Sequence, residues 1–191
     1  FISSLLSFNE LTMILIHSLN NDKYSYTNDK PCEDTFNFYN DFYNHINTKS
    51  NIALSSLPNM LIENIVKSSV LIRQHSAEIY FKDSFQVEKI VYFALIYSSN
   101  VNLIHNPYLR SQIFDLILYS FIGHKSEPHL KLVTSSTYSI LKSDFVQDNL
   151  IMCLIRVFID AERVGTSNQF YEKFNIRNKV LQTIEHLFKK H

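Results

Sequence analysis

An all-α fold follows from three features of this 191-residue sequence. Glycine occurs twice and proline four times, too rarely for a fold built on many tight hairpins. Apolar residues recur at three- and four-residue spacing in one segment after another. Sustained strand-like alternation is missing.

In chain order the periodicity predicts helices over 3–20, 36–48, 57–76, 84–99, 107–122, 129–142, 145–164 and 168–190. Between the first two, Asn20 to Glu33 (NNDKYSYTNDKPCE) is polar and turn-rich, which predicts a long loop. The second carries Phe36, Phe38, Tyr39, Phe42 and Tyr43, aromatic residues at a spacing that favours core over an exposed docking stripe. Asp83 with Gln86 and Asp144 with Gln147 are placed to act as capping pairs, and Asn106 before Pro107 sets an N-cap ahead of a residue with fixed φ. Gly123 and Gly165 fall just past helix ends, where a left-handed residue is wanted. Successive helices with short connections suit a bundle or an α-solenoid, without a repeat of fixed length.

Composition narrows the class further. Hydrophobic residues make up 46% of the chain, with 15 Phe and 11 Tyr, which is globular in character and unlike disorder. Eighteen basic residues balance 18 acidic ones and only Lys189-Lys190 cluster at the end, so nucleic acid is not an expected partner. The longest apolar run, Ile90 to Tyr97, falls far short of the roughly 20 residues that span a bilayer, and Phe1-Ile2-Ser3-Ser4 lacks a signal peptide's basic start. A soluble intracellular protein without a membrane partner is the expectation. Cys32 and Cys153 are too few and too far apart for a disulfide framework or a zinc half-site. A start at Phe1 and a helical pattern running to the last residue read as a piece of a longer protein.

Little in the sequence carries chemistry. The two glycines lie too far apart to build a P-loop or a GxGxxG turn, and neither a GxSxG elbow nor an HExxH helix occurs. Cys153 sits inside an apolar helical run that disfavours its thiolate. His124 and His129 flank the loop GHKSEPH but lack further ligands at useful spacing, so they read as loop histidines. Asp160 and Glu162, two apart on a helix, point to different faces and form no ready acid/base pair. No catalytic, cofactor-binding or metal-binding residue is expected.

Charges at apolar positions are more informative. On the last helix Phe170, Phe174, Leu181, Ile184 and Phe188 form a stripe, with Arg177 in its middle and Lys173 on its flank. On 145–164, Asn149, Arg156, Asp160 and Arg163 form a polar ridge, while Glu162 falls among Ile151, Ile155 and Phe158. If these stripes face the core, the charges must pair, because an isolated buried charge costs several kcal/mol. A buried network is therefore predicted in which Glu162 reaches across the Gly165 corner to Arg177 or Lys173. Arg110 lies on the Ile113-Phe114-Ile117 face, but its first-turn position gives it a route to solvent.

Two segments, HNPYLRSQIFDLIL (His105 to Leu118) and FIDAERVGTSNQFYEKFNIR (Phe158 to Arg177), resemble the best-marked parts of the core of ubiquitin conjugation factors of the E-four type, the U-box ligases that elongate ubiquitin chains. SSLPNMLIENIVKSSVLI (Ser55 to Ile72) is similar to the helix that precedes them. The likeness covers about residues 55–191, with Glu172 where the family favours Asp and Phe188 where it favours Trp. It implies structural roles for Asn106, Pro107, Arg110, Gly165, Phe170, Tyr171 and Phe174, and an armadillo-like helical core over 1–191. It also implies a scaffold, inactive by itself, for a ligase acting ahead of proteasomal degradation in the cytoplasm or nucleus. The implied partners of that ligase are ubiquitin, an AAA+ segregase ATPase, ubiquitin-like shuttle factors, and a ubiquitin-conjugating enzyme held by a U-box that 1–191 does not resemble. An unrelated helical-repeat adaptor and a small helical enzyme are the competing readings.

Overall fold

A computed structural model describes residues 59–82, 84–122, 130–163 and 170–189, with all their side chains but those of 84–86, 130–134, 170 and 172. Seven helices and no strand occur among the described residues: α1 (Asn59–His75), α2 (Ala77–Tyr80), α3 (Ser84–Ser99), α4 (Pro107–Phe121), α5 (Leu130–Leu141), α6 (Asp144–Arg163) and α7 (Phe170–Lys189). Six of them lie within two or three residues of the helices read from periodicity. The short α2, a single turn after Ser76, was not anticipated, being too brief to show a period. The helices expected over 3–20 and 36–48, the loop 20–33 and the glycines at 123 and 165 lie outside the described residues.

The predicted cap at α4 is present: Asn106 Oδ1 accepts from the Tyr108 N–H at 3.0 Å, and Pro107 opens the helix. The pair predicted at α6 does not form. The helix takes in Asp144 as its first residue, and Gln147 instead donates from its side chain to Leu141 O at 2.9 Å. Asp144 in the first turn still sets a negative charge at the positive end of the helix.

The core centres on α3, where every residue from Lys89 to Asn100 is buried. The apolar run Ile90 to Tyr97 within it suits a helix enclosed on all sides, and no helix among the described residues is long and apolar enough to cross a membrane. Helix α4 packs along α3 and meets α1, α5, α6 and α7 as well.

Side-chain contacts fix the directions of the helices. Tyr92 packs at a tilt against the Phe145 ring, Ser98 Oγ lies 3.1 Å from Cys153 Sγ, and Ser99 O faces Arg156, so α3 and α6 run side by side in the same sense. The ends of α1 and α4 coincide where Arg73 Nε donates to Tyr119 O at 3.0 Å. Helix α7 meets α4 where Lys179 Nζ stands 2.7 Å from Asp115 Oδ1, and its first half lies by the end of α6. The result is two rows, α1–α4–α7 and α3–α6, with α5 set against α3, α4 and α6.

Arg73 was not singled out from the sequence, although it falls on the same face as Ile62, Ile65, Val66 and Ser69. It is buried, its guanidinium lies 4.9 Å from the centre of the Phe81 ring, and it supplies a cation to the last carbonyls of α4.

Candidate functional site

Polar chemistry is concentrated where the α3–α4 connection meets the ends of α6 and α7. Arg110 is its centre. The guanidinium donates from Nη2 and Nε to Asp160 Oδ2 at 2.8 and 3.1 Å, and from Nη1 to the carbonyls of Ile104 and His105. One side chain thus ties the loop before α4 to the last turn of α6. The side chains of Arg110 and Asp160 are only 4% and 14% exposed. The route to solvent expected for Arg110 is closed, because α6 packs over the first turn of α4 and supplies the counter-charge there.

Glu162 and Arg177 are brought together: Arg177 Nη2 bonds Glu162 Oε1 across the α6–α7 corner. The setting differs from the buried network that was expected, since the two side chains are 46% and 36% exposed. Lys173 is half-buried. The reason lies in which stripes face inward. On α6 the buried set is Phe145, Val146, Leu150, Cys153, Leu154, Val157 and Ala161, and on α7 it is Ile176, Val180 and Thr183. The stripes Ile151-Ile155-Phe158-Glu162 and Phe174-Leu181-Phe188 sit about a third of a turn away on each helix and are exposed. Tyr171 is likewise exposed, so neither it nor Phe174 braces an interior corner. Gly165 and the side chain of Phe170 lie outside the described residues, as do His124 and His129.

Titratable groups at the core are held away from reactive states. Burial pushes the Cys153 thiol up to about 12, against the smaller opposing pulls of the Ser98 hydroxyl and the Arg156 charge, so it carries no thiolate at neutral pH. Burial likewise raises the Tyr80 phenol to about 12, opposed by its hydrogen bond with Ser120. Asp115 is raised by burial more strongly than the adjacent Lys179 lowers it. Asp160 turns inward to Arg110 and Glu162 outward to Arg177, so these carboxylates do not converge. No group of three or more metal-ligating side chains is present among the described residues. The junction fixes helices relative to one another by charge-assisted hydrogen bonds and offers arginines at its margin.

Comparison with known proteins gives this geometry a family. The chain matches the model of the ubiquitin elongating factor core over residues 1–191, further than the likeness over about 55–191. It is 27% identical over 137 residues to "Ubiquitin conjugation factor E4" of Schizosaccharomyces pombe, covering 72% of this chain and 13% of that protein. Over 138 residues it is 22% identical to "Ubiquitin conjugation factor E4 A" of Bos taurus, covering 71% and 13%. It is 24% identical over 137 residues to "E4 ubiquitin-protein ligase UFD2" of Saccharomyces cerevisiae, covering 70% and 13%. The aligned stretch is thus about an eighth of the length of each of these relatives. No solved structure matches the chain. A whole-chain family match, reached in an all-helical fold with its polar chemistry in helix junctions, establishes that this chain belongs to the ubiquitin elongating factor core family.

Proposed function

We propose that this chain is a non-catalytic scaffold segment of a U-box ubiquitin ligase that elongates ubiquitin chains on substrates bound for the proteasome. The reading is carried by the match of the elongating-factor core to all 191 residues. Relatives named as ubiquitin conjugation factors and as a ubiquitin-protein ligase support it. The two rows of stacked helices fit an armadillo-like solenoid, in which each layer buries the face of the one before it. The exposed stripes of α6 and α7 are what such a stack presents where a further layer would pack.

In this reading the chemistry belongs to a conjugating enzyme recruited by a U-box elsewhere in the parent protein, and this segment sets distances. Chain growth then depends on proximity, with binding regions held by a rigid arm at a fixed spacing from the thioester. Ubiquitin, ubiquitin-like shuttle factors and an AAA+ segregase ATPase are the partners of the parent protein, acting in the cytoplasm or nucleus.

A reconstituted assay with activating enzyme, conjugating enzyme and ubiquitin tests the assignment. The 191-residue chain alone should leave pre-ubiquitinated substrate unextended, while the parent protein extends it. Extension by the isolated chain would contradict the scaffold role.

A further inference from the structure

Beside the buried Arg110–Asp160 pair lies an open cleft of about 350 Å³ between the end of α3, the loop that follows it and the last turns of α6. This is at the small end of the range for ligand sites. Arg156 and Arg163 line it from α6, and Asn100 and Val101 line it from the loop. Ile159 and Asp160 complete the α6 side.

The donors here outnumber their acceptors. Arg156 Nη1 reaches only Ser99 O, at 3.5 Å, and neither Arg156 nor Arg163 has a carboxylate within ion-pair reach among the described residues. Asn100 is 5% exposed, and its Oδ1 accepts from the Asn102 N–H at 3.0 Å. That bond fixes the orientation of the amide and leaves its Nδ2 donors without a protein acceptor among the described residues. Asn100 lines the cleft, so those donors are within reach of a ligand or of water.

The charge balance selects the ligand. Arg110 neutralises Asp160. The C-termini of α3 and α6 each bring roughly half a negative charge, which offsets about half of what Arg156 and Arg163 supply. A surplus of about one positive charge remains, enough for a single carboxylate. A polyanion would meet Asp160 and the two rows of terminal carbonyls instead. Val101 and Ile159, both exposed, give the rim two apolar contacts beside the guanidiniums.

We propose that this cleft binds an acidic peptide segment of a protein partner, with one Asp or Glu carboxylate held by Arg156, Arg163 and the Asn100 amide, and a neighbouring apolar side chain against Val101 and Ile159. The site stands on its own residues and does not depend on the ligase reading.

The test is a titration of the isotopically labelled 191-residue chain, followed by NMR, with an acetylated and amidated dodecapeptide of alternating Asp and Leu. Saturable shifts are expected at the Nε–Hε groups of Arg156 and Arg163 and at the Asn100 side-chain amide. The peptide with Asn for Asp should bind at least about tenfold more weakly, as loss of charge-assisted hydrogen bonds requires. Arg156→Gln with Arg163→Gln should weaken the Asp peptide by a similar factor. Arg163→Gln alone, at an exposed position, should weaken it measurably if the double variant fails to fold. Val101→Ser reports the apolar rim and should weaken the peptide while leaving the shifts at the arginines. Equal binding of the Asn peptide, unshifted arginine signals, or binding undiminished in Arg163→Gln would overturn the proposal. So would inorganic phosphate producing the same shifts at equal concentration, since the cleft would then be a general anion site.

Discussion

Arg110 is the side chain the junction can least do without. Removing it strands Asp160 and the carbonyls of Ile104 and His105 in a largely dry setting. Arg110→Ala should therefore cost about 3 kcal/mol in urea unfolding, in the range for breaking a buried pair. Glu162→Gln, at a pair half open to water, should cost less than about 1 kcal/mol. Comparable losses at both sites would show that the burial contrast does not govern the energetics. The same contrast applies to apolar residues: Ile176→Ala should cost about 3 kcal/mol, and Phe174→Ala less than about 1 kcal/mol. Pairing of Glu162 with Arg177 could be read from helical geometry because both residues lie near a corner. Which stripe faces inward could not. On α6 and α7 two apolar stripes compete, and periodicity counts apolar residues without knowing where the neighbouring helices stand. Arg110 was placed on the right face, but its enclosure depends on α6, fifty positions away, and no local rule conveys that.

At the scale of elements, the boundaries of six helices were legible because cap chemistry and length agree with periodicity, as at Asn106 and Pro107. The pairing at Asp144 was misplaced by a single position, within the play of any boundary read from sequence. The link between α4 and α7 through Asp115 and Lys179 was invisible, since neither residue sits in a recognisable pattern. It has a consequence for pH. Because burial raises the Asp115 carboxyl above its ordinary 3.8, the folded state binds that proton more tightly than the unfolded state. The contribution to stability is full below 3.8 and is lost as pH rises through the raised folded value. Denaturant midpoints measured from pH 3 to 7 should show this loss in the native chain, and Asp115→Asn should remove it. A profile unchanged by the substitution would contradict the assignment. Cys153 offers an independent probe of α3–α6 packing: in a Cys32→Ser background its thiol should resist alkylation until global unfolding, and rapid labelling in buffer would refute the packing.

For the whole molecule, the all-α class was fixed by composition and period together, and the family by the segments around Arg110 and Arg177. The order of the two rows was not, because it depends on contacts between residues such as Ser98 and Cys153 that are far apart in sequence. Those rows leave the α6 and α7 stripes uncovered. Phe158→Ser with Phe174→Ser should hardly shift the thermal midpoint of the 191-residue chain, yet should lower that of the parent protein if further helices pack there. The most direct measurement of the proposed scaffold role is the length of ubiquitin chains produced by the parent protein carrying Arg110→Ala, with binding of a conjugating enzyme measured in parallel. A scaffold that sets distance predicts unchanged enzyme binding and shorter chains. Chains of native length from a variant whose junction is demonstrably loosened would contradict it.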